Sequence, residues 1–255
     1  MKGMLNIDRK FVPLTITIAL FVALYVFGMT QYKGFSSPQV FFNLWIDNAF
    51  LLITSIGMTF VILSGGIDLS VGAVIAFTTV FSAFLLEEVG LSPAIVIPIV
   101  LLFGVTLGAV MGAIIHFFKV QPFIVTLAGM FFARGMCFVI STDAITISDP
   151  FYRAVALHRI PIFDKTFISI NVVIVLVVLA VAIYLAHFTR FGRTVYAIGG
   201  NEQSALLMGL PVARTKVLVY TLNGFCSALA GVVFSIYMLS GYGLYTYGLE
   251  LEAIA

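Results

Sequence analysis

Long apolar stretches alternate with short polar segments along the whole of this 255-residue chain. Several stretches reach the roughly 20 residues that an α-helix needs to cross a ~30 Å hydrocarbon core. They are solid apolar runs that do not alternate every second residue, which excludes a transmembrane β-barrel. The pattern therefore predicts an all-α polytopic membrane protein with about seven membrane-spanning helices, over residues 11–29, 44–63, 71–87, 94–118, 121–141, 166–187 and 217–239.

Composition and charge agree with this class. Hydrophobic residues make up 62% of the chain and charged residues 9%, whereas soluble proteins carry roughly 25% charged residues. The net charge of +2 is too small to indicate a nucleic-acid partner. Because basic residues favour cytoplasmic loops, the N-terminus is predicted to be cytoplasmic. That topology places eight basic residues inside, Lys2, Arg9, Lys10, Lys119, Arg190, Arg193, Arg214 and Lys216, and five elsewhere, Lys33, Arg134, Arg153, Arg159 and Lys165.

A glycine pair interrupts the apolar pattern between the second and third predicted spans. Gly65 and Gly66 free the backbone after Ser64, and Asp68 or Ser70 can cap the helix that follows. Asp68 has two interpretations, a helix cap near the cytoplasmic end or a residue that lines or gates a transport pathway. The serine and the two glycines are candidates for the same pathway.

Arg134 is a second candidate pathway residue. It lies well inside the fifth predicted span, about 20 Å from the inner face at 1.5 Å per residue. Its side chain can snorkel outward, or it can face the bundle interior and pair with a carboxylate.

Two stripes of small residues predict where helices approach closely. They comprise Gly104, Gly108 and Gly112 in the fourth predicted span, and Gly224, Ala228 and Gly231 in the seventh. Small residues at such spacing let two helix backbones come into contact.

The segment from Phe191 to Pro211 is one of the few long polar interruptions, and basic residues flank it. Asn201 can cap a short helix, and Gly209 can supply the left-handed residue that ends it. Pro211 is predicted to prevent the helix from resuming. The segment has two interpretations: a cytoplasmic handle for another protein, or an ordinary polar connector that lies on the membrane.

The sequence contains no catalytic constellation. It has no Walker A sequence, no HExxH and no nucleophile elbow, so it predicts neither ATP hydrolysis nor any other enzyme activity. The two cysteines, Cys137 and Cys226, are interpreted as buried thiols, and no metal site or cofactor is predicted.

Three blocks resemble a known family. They are residues 57–72 (GMTFVILSGGIDLSVG), residues 122–130 (PFIVTLAGM), and residues 191–201 (FGRTVYAIGGN) with Ala205–Gly209. In this order and spacing they resemble the ribose-type permease subunits of bacterial ABC sugar importers. Their details are most similar to the permease of galactofuranose importers.

The resemblance implies a permease subunit in the bacterial cytoplasmic (inner) membrane that imports a monosaccharide, with galactofuranose as the expected sugar and ribose or another simple sugar as the alternative. It implies a single transmembrane permease domain over residues 1–255, short of the family's C-terminal helices, with a cytoplasmic coupling loop at 188–216. The implied partners are an ABC ATPase subunit, a homologous or identical second permease, an extracytoplasmic sugar-binding protein and membrane lipid.

The coupling loop would dock on the ATPase through its short helix. The residues expected to couple are Asn201, Glu202, Gln203, Ser204, Ala205 and Gly209. The wider importer family carries Glu-Ala-Ala before the glycine, and here only Ala205 and Gly209 match that motif. The rival interpretation, a secondary sugar carrier, predicts duplicated halves with matching broken helices, and no internal repeat is visible.

Overall fold

The protein is built almost entirely of helices. The computed structural model describes residues 12–163 and 166–254. The helices are α1 (Val12–Gln31), α2 (Pro38–Asp47), α3 (Ala49–Leu63), α4 (Val71–Glu87), α5 (Pro93–Phe117), α6 (Pro122–Ile140), α7 (Pro150–Leu157), α8 (Ile170–Phe188), α9 (Arg190–Gly200), α10 (Glu202–Leu207), α11 (Val212–Met238) and α12 (Leu249–Ile254). The short strands are β1 (Ile145–Thr146), β2 (Arg159–Phe163), β3 (Thr166–Ser169) and β4 (Ser240–Gly241).

By length and composition, five of the described helices can cross a membrane: α1, α5, α6, α8 and α11. Helices α2 and α3 pass the same test only when they are taken together, with a bend of 57° between them. The remaining predicted span corresponds to α4, an apolar helix of 17 residues. The predicted all-α polytopic class is therefore confirmed, with α4 as a shorter helix inside the bundle.

Helix α11 lies at the centre of the bundle and packs against α3, α4 and α5. The predicted glycine stripe of α5 forms its contact with α11. A Cβ atom on Gly104 would lie 2.4 Å from the carbonyl oxygen of Gly224, and one on Gly108 would lie 2.2 Å from that of Tyr220. Because these neighbours are backbone atoms that cannot move aside, the close packing of α5 and α11 depends on glycine.

Helix α4 is the most deeply buried element, since every residue from Val71 to Val80 is buried. It contacts α5, α6 and α11, and α11 approaches it at Gly231, where a Cβ atom would lie 2.5 Å from the Thr78 side chain. A fully surrounded helix needs apolar residues on all sides. This explains why its sequence shows no polar face.

The two ends of the bundle differ. One end carries α7 and two small antiparallel sheets, β1 with β4 and β2 with β3, and we call it the α7 face. The other carries α9 and α10 and is called the α10 face. At the α7 face the carboxylate of Glu87 accepts hydrogen bonds from the main-chain N–H groups of Ser148, at 2.6 Å, and Asp149, at 3.2 Å. These bonds attach the segment between α6 and α7 to the end of α4.

Several predicted boundaries were wrong. Residues 30–43 lie between the first two predicted spans, yet they contain the start of α2, where Ser37 caps the helix by accepting from the N–H of Gln39. The predicted sixth span begins at Ile170 instead of Thr166, because Thr166–Ser169 forms β3. The predicted N-terminal basic cluster, Lys2, Arg9 and Lys10, lies outside the described residues.

The segment 191–211 contains two helices where one was predicted. Helix α9 begins after Thr189, whose hydroxyl accepts from the N–H of Gly192 at 3.2 Å, and it buries Val195 and Ile198. Pro211 was predicted to stop the chain from becoming helical again, but α11 begins at the next residue. A proline at a helix start loses no internal hydrogen bond, so it ends α10 without preventing α11.

After α11 the chain turns back into the bundle. Leu239 adopts a left-handed conformation with φ 49°, and β4 follows it. The hydroxyl of Thr246 then donates to the carbonyl of Gly72 in α4 at 2.7 Å. Helix α12 packs against α3 and α4. We call residues 242–254 the return segment.

Candidate functional site

Helix α10 is a short helix that presents apolar side chains at the α10 face. The Asn201 side chain accepts a hydrogen bond from the N–H of Ser204 at 2.8 Å, which caps the helix. Ala205 is fully buried and packs with Ile198 and Val212. The three large apolar residues that follow are exposed by 64%, 88% and 67%, namely Leu206, Leu207 and Met208.

Gly209 ends α10 in the predicted manner. Its φ is +74°, a left-handed conformation that side chains other than glycine rarely adopt. The N–H of Gly209 donates to Leu206, and the N–H of Leu210 donates to Ala205, at 3.0 and 3.1 Å. This is the hydrogen-bond pattern of a glycine-terminated helix.

An ion pair attaches α10 to the first part of α11. The Nζ atom of Lys216 lies 2.6 Å from Oε2 of Glu202. The Lys216 side chain is 18% exposed and the Glu202 side chain 47%, so water screens the pair from the glutamate side. Gln203 and Ser204 are exposed on the same helix. All six predicted coupling residues therefore lie on α10 or at its two ends.

Helix α9 and helix α10 together form the α9–α10 unit, and α9 packs this unit against the bundle. A Cβ atom on Gly199 would lie 1.9 Å from the carbonyl oxygen of Leu63, the last residue of α3. At the other end of α9, a Cβ atom on Gly192 would lie 2.1 Å from the carbonyl oxygen of Ala186 in α8. The α9–α10 unit is therefore in backbone contact with both α3 and α8.

The break between α3 and α4 begins where α9 touches α3. The hydroxyl of Ser64 donates to the carbonyl of Val61 at 2.8 Å. Gly65 has φ +77°, and a Cβ atom on Gly66 would lie 2.5 Å from the hydroxyl of Tyr220. The first glycine thus supplies a left-handed turn, and the second makes room for α11.

Asp68 is buried at the centre of the break. Its carboxylate accepts from the N–H and hydroxyl of Ser70, at 2.8 and 2.6 Å, and from the side-chain amide of Asn223, at 2.8 Å. The carboxylate holds the backbone just before α4, as the capping interpretation requires, while Ser70 itself makes no side-chain cap bond. The Asp68 carboxylate also joins the break to α11 through its bond from Asn223.

The break runs from Leu63, which α9 touches at the α10 face, to the buried Asp68. Asn223 is about 16 Å along α11 from its first residue, Val212, at 1.5 Å per residue. Both interpretations of Asp68, a helix cap near the cytoplasmic end and a residue that lines or gates a pathway, remain predictions. A buried carboxylate needs hydrogen-bond donors to offset its lost hydration, and Ser70 and Asn223 supply them.

Arg134 lies apart from this site. Its Nη1 donates to the main-chain carbonyls of Gly243 and Tyr245, at 2.6 and 2.8 Å, and its guanidinium lies 5.6 Å from the ring centroid of Tyr247. The sequence offered snorkelling or a carboxylate pair as alternatives. The structure shows instead that this arginine binds the backbone of the return segment.

The structure thus joins the predicted coupling residues to Ser64, Gly65, Gly66 and Asp68, and it places Arg134 elsewhere. A cavity of about 180 Å³ marks the junction, lined by residues of the break, α9, α10 and α11. Sequence reasoning missed Asn223 and Lys216 as members. Asn223 could have been found, because an amide in the middle of an apolar span needs a buried partner.

A comparison with protein families matches residues 40–255 to the family described as branched-chain amino acid transport system, permease component. The chain belongs to this permease family. No solved structure matches the permease.

Several curated proteins are similar to the permease over nearly its whole length. The inner membrane ABC transporter permease protein YjfF of Escherichia coli K12 is 48% identical over 247 residues, 97% of this chain and 75% of that protein. The fructose import permease protein FruG of Bifidobacterium longum is 38% identical, over 98% of this chain and 75% of that protein. The ribose import permease protein RbsC of Haemophilus influenzae is 38% identical, over 93% and 73%.

These relatives confirm the resemblance to the ribose-type permeases of ABC sugar importers. The permease is a multi-pass transport subunit of the inner membrane. The α9–α10 unit and the break between α3 and α4 are then its candidate functional site, because they connect an exposed apolar surface to the interior of the bundle.

Proposed function

We propose that this permease is the membrane subunit of an ATP-driven importer that carries a monosaccharide, galactofuranose, into the cell. The names of its relatives, which include import permeases for ribose and fructose, support a sugar. The assignment of galactofuranose as the sugar rests on the resemblance of the three sequence blocks to the permease of galactofuranose importers. ATP hydrolysis belongs to a separate ATPase subunit, and a second permease and an extracytoplasmic sugar-binding protein complete the importer.

The exposed apolar tip of α10 carries this proposal. Leu207 is 88% exposed although the helix is capped at Asn201, ended at Gly209 and tied to α11. A rigid helix that presents large apolar residues to water fits a hydrophobic groove of a partner protein. The coupling residues of the 188–216 segment are proposed to dock there on the ATPase.

Two chains of contact would carry movement of α10 into the bundle. One runs through α9, where Gly199 touches Leu63 at the end of α3. The other runs through the Lys216–Glu202 ion pair into α11, whose Asn223 holds Asp68. Movement of the ATPase would therefore shift both sides of the break between α3 and α4. This movement would give the membrane helices two arrangements. Transport is driven if these arrangements differ in their affinity for the sugar and for the partner subunits.

The proposed orientation places the α10 face and the N-terminus in the cytoplasm. Exposed basic residues support it, because the α10 face carries Lys119, Arg190, Arg193 and Arg214, and cytoplasmic loops are enriched in Lys and Arg. The sugar-binding protein would then dock at the α7 face. The proposal predicts that a cysteine placed at position 207 is labelled by a membrane-impermeant maleimide only in inverted vesicles.

The function is tested in proteoliposomes that hold the complex purified through a tag on this chain. We expect ATP-dependent uptake of galactofuranose that vanadate abolishes and a protonophore leaves unchanged. Uptake that follows a proton gradient and needs no ATPase would establish the secondary carrier instead. Uptake of ribose but not of galactofuranose would support the proposed importer but assign it a different sugar.

The docking role of α10 is tested with Leu207→Glu. We expect at least a roughly tenfold loss of co-purifying ATPase, as for an interface residue that contributes about 1.4 kcal/mol or more. The matched control is Leu157→Glu at the α7 face, where the leucine is 74% exposed. Equal ATPase recovery from the two variants would remove α10 from the interface.

A further inference from the structure

Three arginines line one cavity at the α10 face. The cavity has a volume of about 790 Å³ and lies between the first turns of α9 and α11. We call it the arginine pocket and define it by Arg190, Arg193 and Arg214, together with the apolar residues Phe191 and Leu218. It is separate from the exposed tip of α10 at 206–208.

The positive charge of the arginine pocket is not compensated within the described part of the protein. Within residues 12–163 and 166–254, none of the three arginines forms an ion pair, and no carboxylate lines the pocket. All three are exposed. Three guanidinium groups around one concavity repel one another, and that repulsion is relieved when an anion binds between them.

The positions of the arginines add to this imbalance. Arg190 and Arg193 lie in the first turn of α9, and Arg214 lies in the first turn of α11. The helix dipole favours acidic residues at these positions, yet neither first turn contains one. The arginines therefore make the folded chain slightly less stable where they stand, as expected of residues kept for a ligand.

The walls of the arginine pocket identify the kind of anion. Leu218 is 40% exposed on the membrane-spanning helix α11, about 9 Å along its axis from Val212. Phe188, which ends α8 just before Arg190, is 70% exposed. The charged groups of the pocket thus continue directly into an apolar surface of the membrane-spanning helices, in the same order as the head group and acyl chains of a lipid.

We propose that the arginine pocket binds the phosphate of an anionic phospholipid, with an acyl chain along Leu218. The lipid belongs to the leaflet at the α10 face, which is the cytoplasmic leaflet in the orientation proposed above. Basic pockets between membrane helices suit such head groups, and each Arg or Lys near the surface contributes about 1 kcal/mol. A free phosphate ion has no acyl chain that could contact the apolar wall at Leu218.

Binding is measured by native mass spectrometry of the full-length chain, purified in a mild detergent and titrated with phosphatidylglycerol. We expect one retained phosphatidylglycerol per chain and little retained phosphatidylcholine. Replacing all three arginines by glutamine should weaken binding roughly a hundredfold, at about fivefold for each arginine. Replacing all three by lysine keeps the charge and should retain most of the binding.

The matched control is Lys119→Gln, which removes an exposed cation at the same face but outside the arginine pocket. It should change the affinity by less than about twofold, since only distant charge is lost. An equal loss in Lys119→Gln would mean general surface attraction and overturn the proposal. If the triple glutamine variant does not purify, Arg214→Gln alone carries the test, with a fivefold loss expected.

Two further results would overturn the lipid assignment. Displacement of phosphatidylglycerol by millimolar inorganic phosphate would show that the anion comes from solution. Loss of co-purifying ATPase with unchanged phosphatidylglycerol binding would assign the arginines to the protein interface. Transport need not be measured for either result, so the lipid proposal stands or falls separately from the proposed importer.

Discussion

The side-chain amide of Asn223 donates a hydrogen bond of 2.8 Å to the carboxylate of Asp68, and both residues are buried. The bond joins residues that are 155 positions apart in the chain. It connects the non-helical break before α4 to α11, the helix that begins directly beyond α10. The break before α4 and the α9–α10 unit are therefore connected through α11.

We predict that Asn223→Ala destabilises the protein by about 1–3 kcal/mol, because a buried acceptor loses a hydrogen-bond donor. The measurement is reversible unfolding of the purified protein in mixed detergent and denaturant micelles. The control is Ser227→Ala, also buried in α11, whose hydroxyl donates to the carbonyl of Asn223 in its own helix. Equal destabilisation of the two variants would contradict a special contribution from the bond to Asp68.

Adjacent glycines in α9 provide a second prediction. A Cβ atom on Gly199 would lie 1.9 Å from the backbone of Leu63, whereas one on Gly200 would meet nothing within 4 Å. Gly199→Ala should therefore push α9 away from α3 and lower the free energy of unfolding by about 1–3 kcal/mol. It should also remove much of the transport rate. Thermal unfolding and ATP-driven uptake are the measurements.

Gly200→Ala is the matched control, since it adds the same methyl group one residue away in the same helix. It should leave both the melting temperature and the uptake near those of the wild type. If the two alanine variants behave alike, α9 does not transmit movement through its contact with α3.

Much of this arrangement could be predicted from local sequence pattern. The glycine pair at 65–66, the glycine stripe of α5 and the cap and stop of α10 are short-range signals, because backbone freedom and close helix approach require particular residues at particular positions. Each of these features is present in the structure.

The missed features depend on contacts between distant parts of the chain. Helix α9 was overlooked because Gly199 and Gly200 suggest a loop, whereas packing on Leu63 stabilises a helix that ends with them. The return segment was overlooked because its contact between Thr246 and Gly72 spans 174 positions. Propensity is a weak guide where such tertiary contacts decide the backbone.

Gly209 provides a third prediction, on the end of α10. Its φ of +74° costs a β-branched residue roughly 1–2 kcal/mol or more. Gly209→Val should therefore fray the end of α10 and reduce the amount of ATPase that co-purifies, with little change in the packing of the membrane helices. Gly209→Asn is the control, because asparagine tolerates the left-handed conformation and should restore most of the ATPase. Full assembly and uptake in the valine variant would rule out a coupling role for α10.

Arg134 provides the last prediction, on the return segment. Its guanidinium satisfies the carbonyls of Gly243 and Tyr245, and Arg134→Met would leave both acceptors without that donor inside the bundle. A charge-assisted hydrogen bond contributes about 1.5–3 kcal/mol, so the amides of residues 242–248 should exchange with deuterium roughly ten to a hundred times faster. Hydrogen exchange read by mass spectrometry on the purified protein measures this locally.

Gly135→Ala is the control for that experiment, because a Cβ atom there meets nothing within 4 Å on the same helix. It should leave the exchange of residues 242–248 unchanged. Arg134→Lys retains the charge but lacks the planar fork of donors, so its exchange should fall between those of the wild type and Arg134→Met. If Arg134→Met exchanges at the wild-type rate, the return segment is held by its contacts with α3 and α4 alone, and the arginine is free to serve another purpose in the bundle.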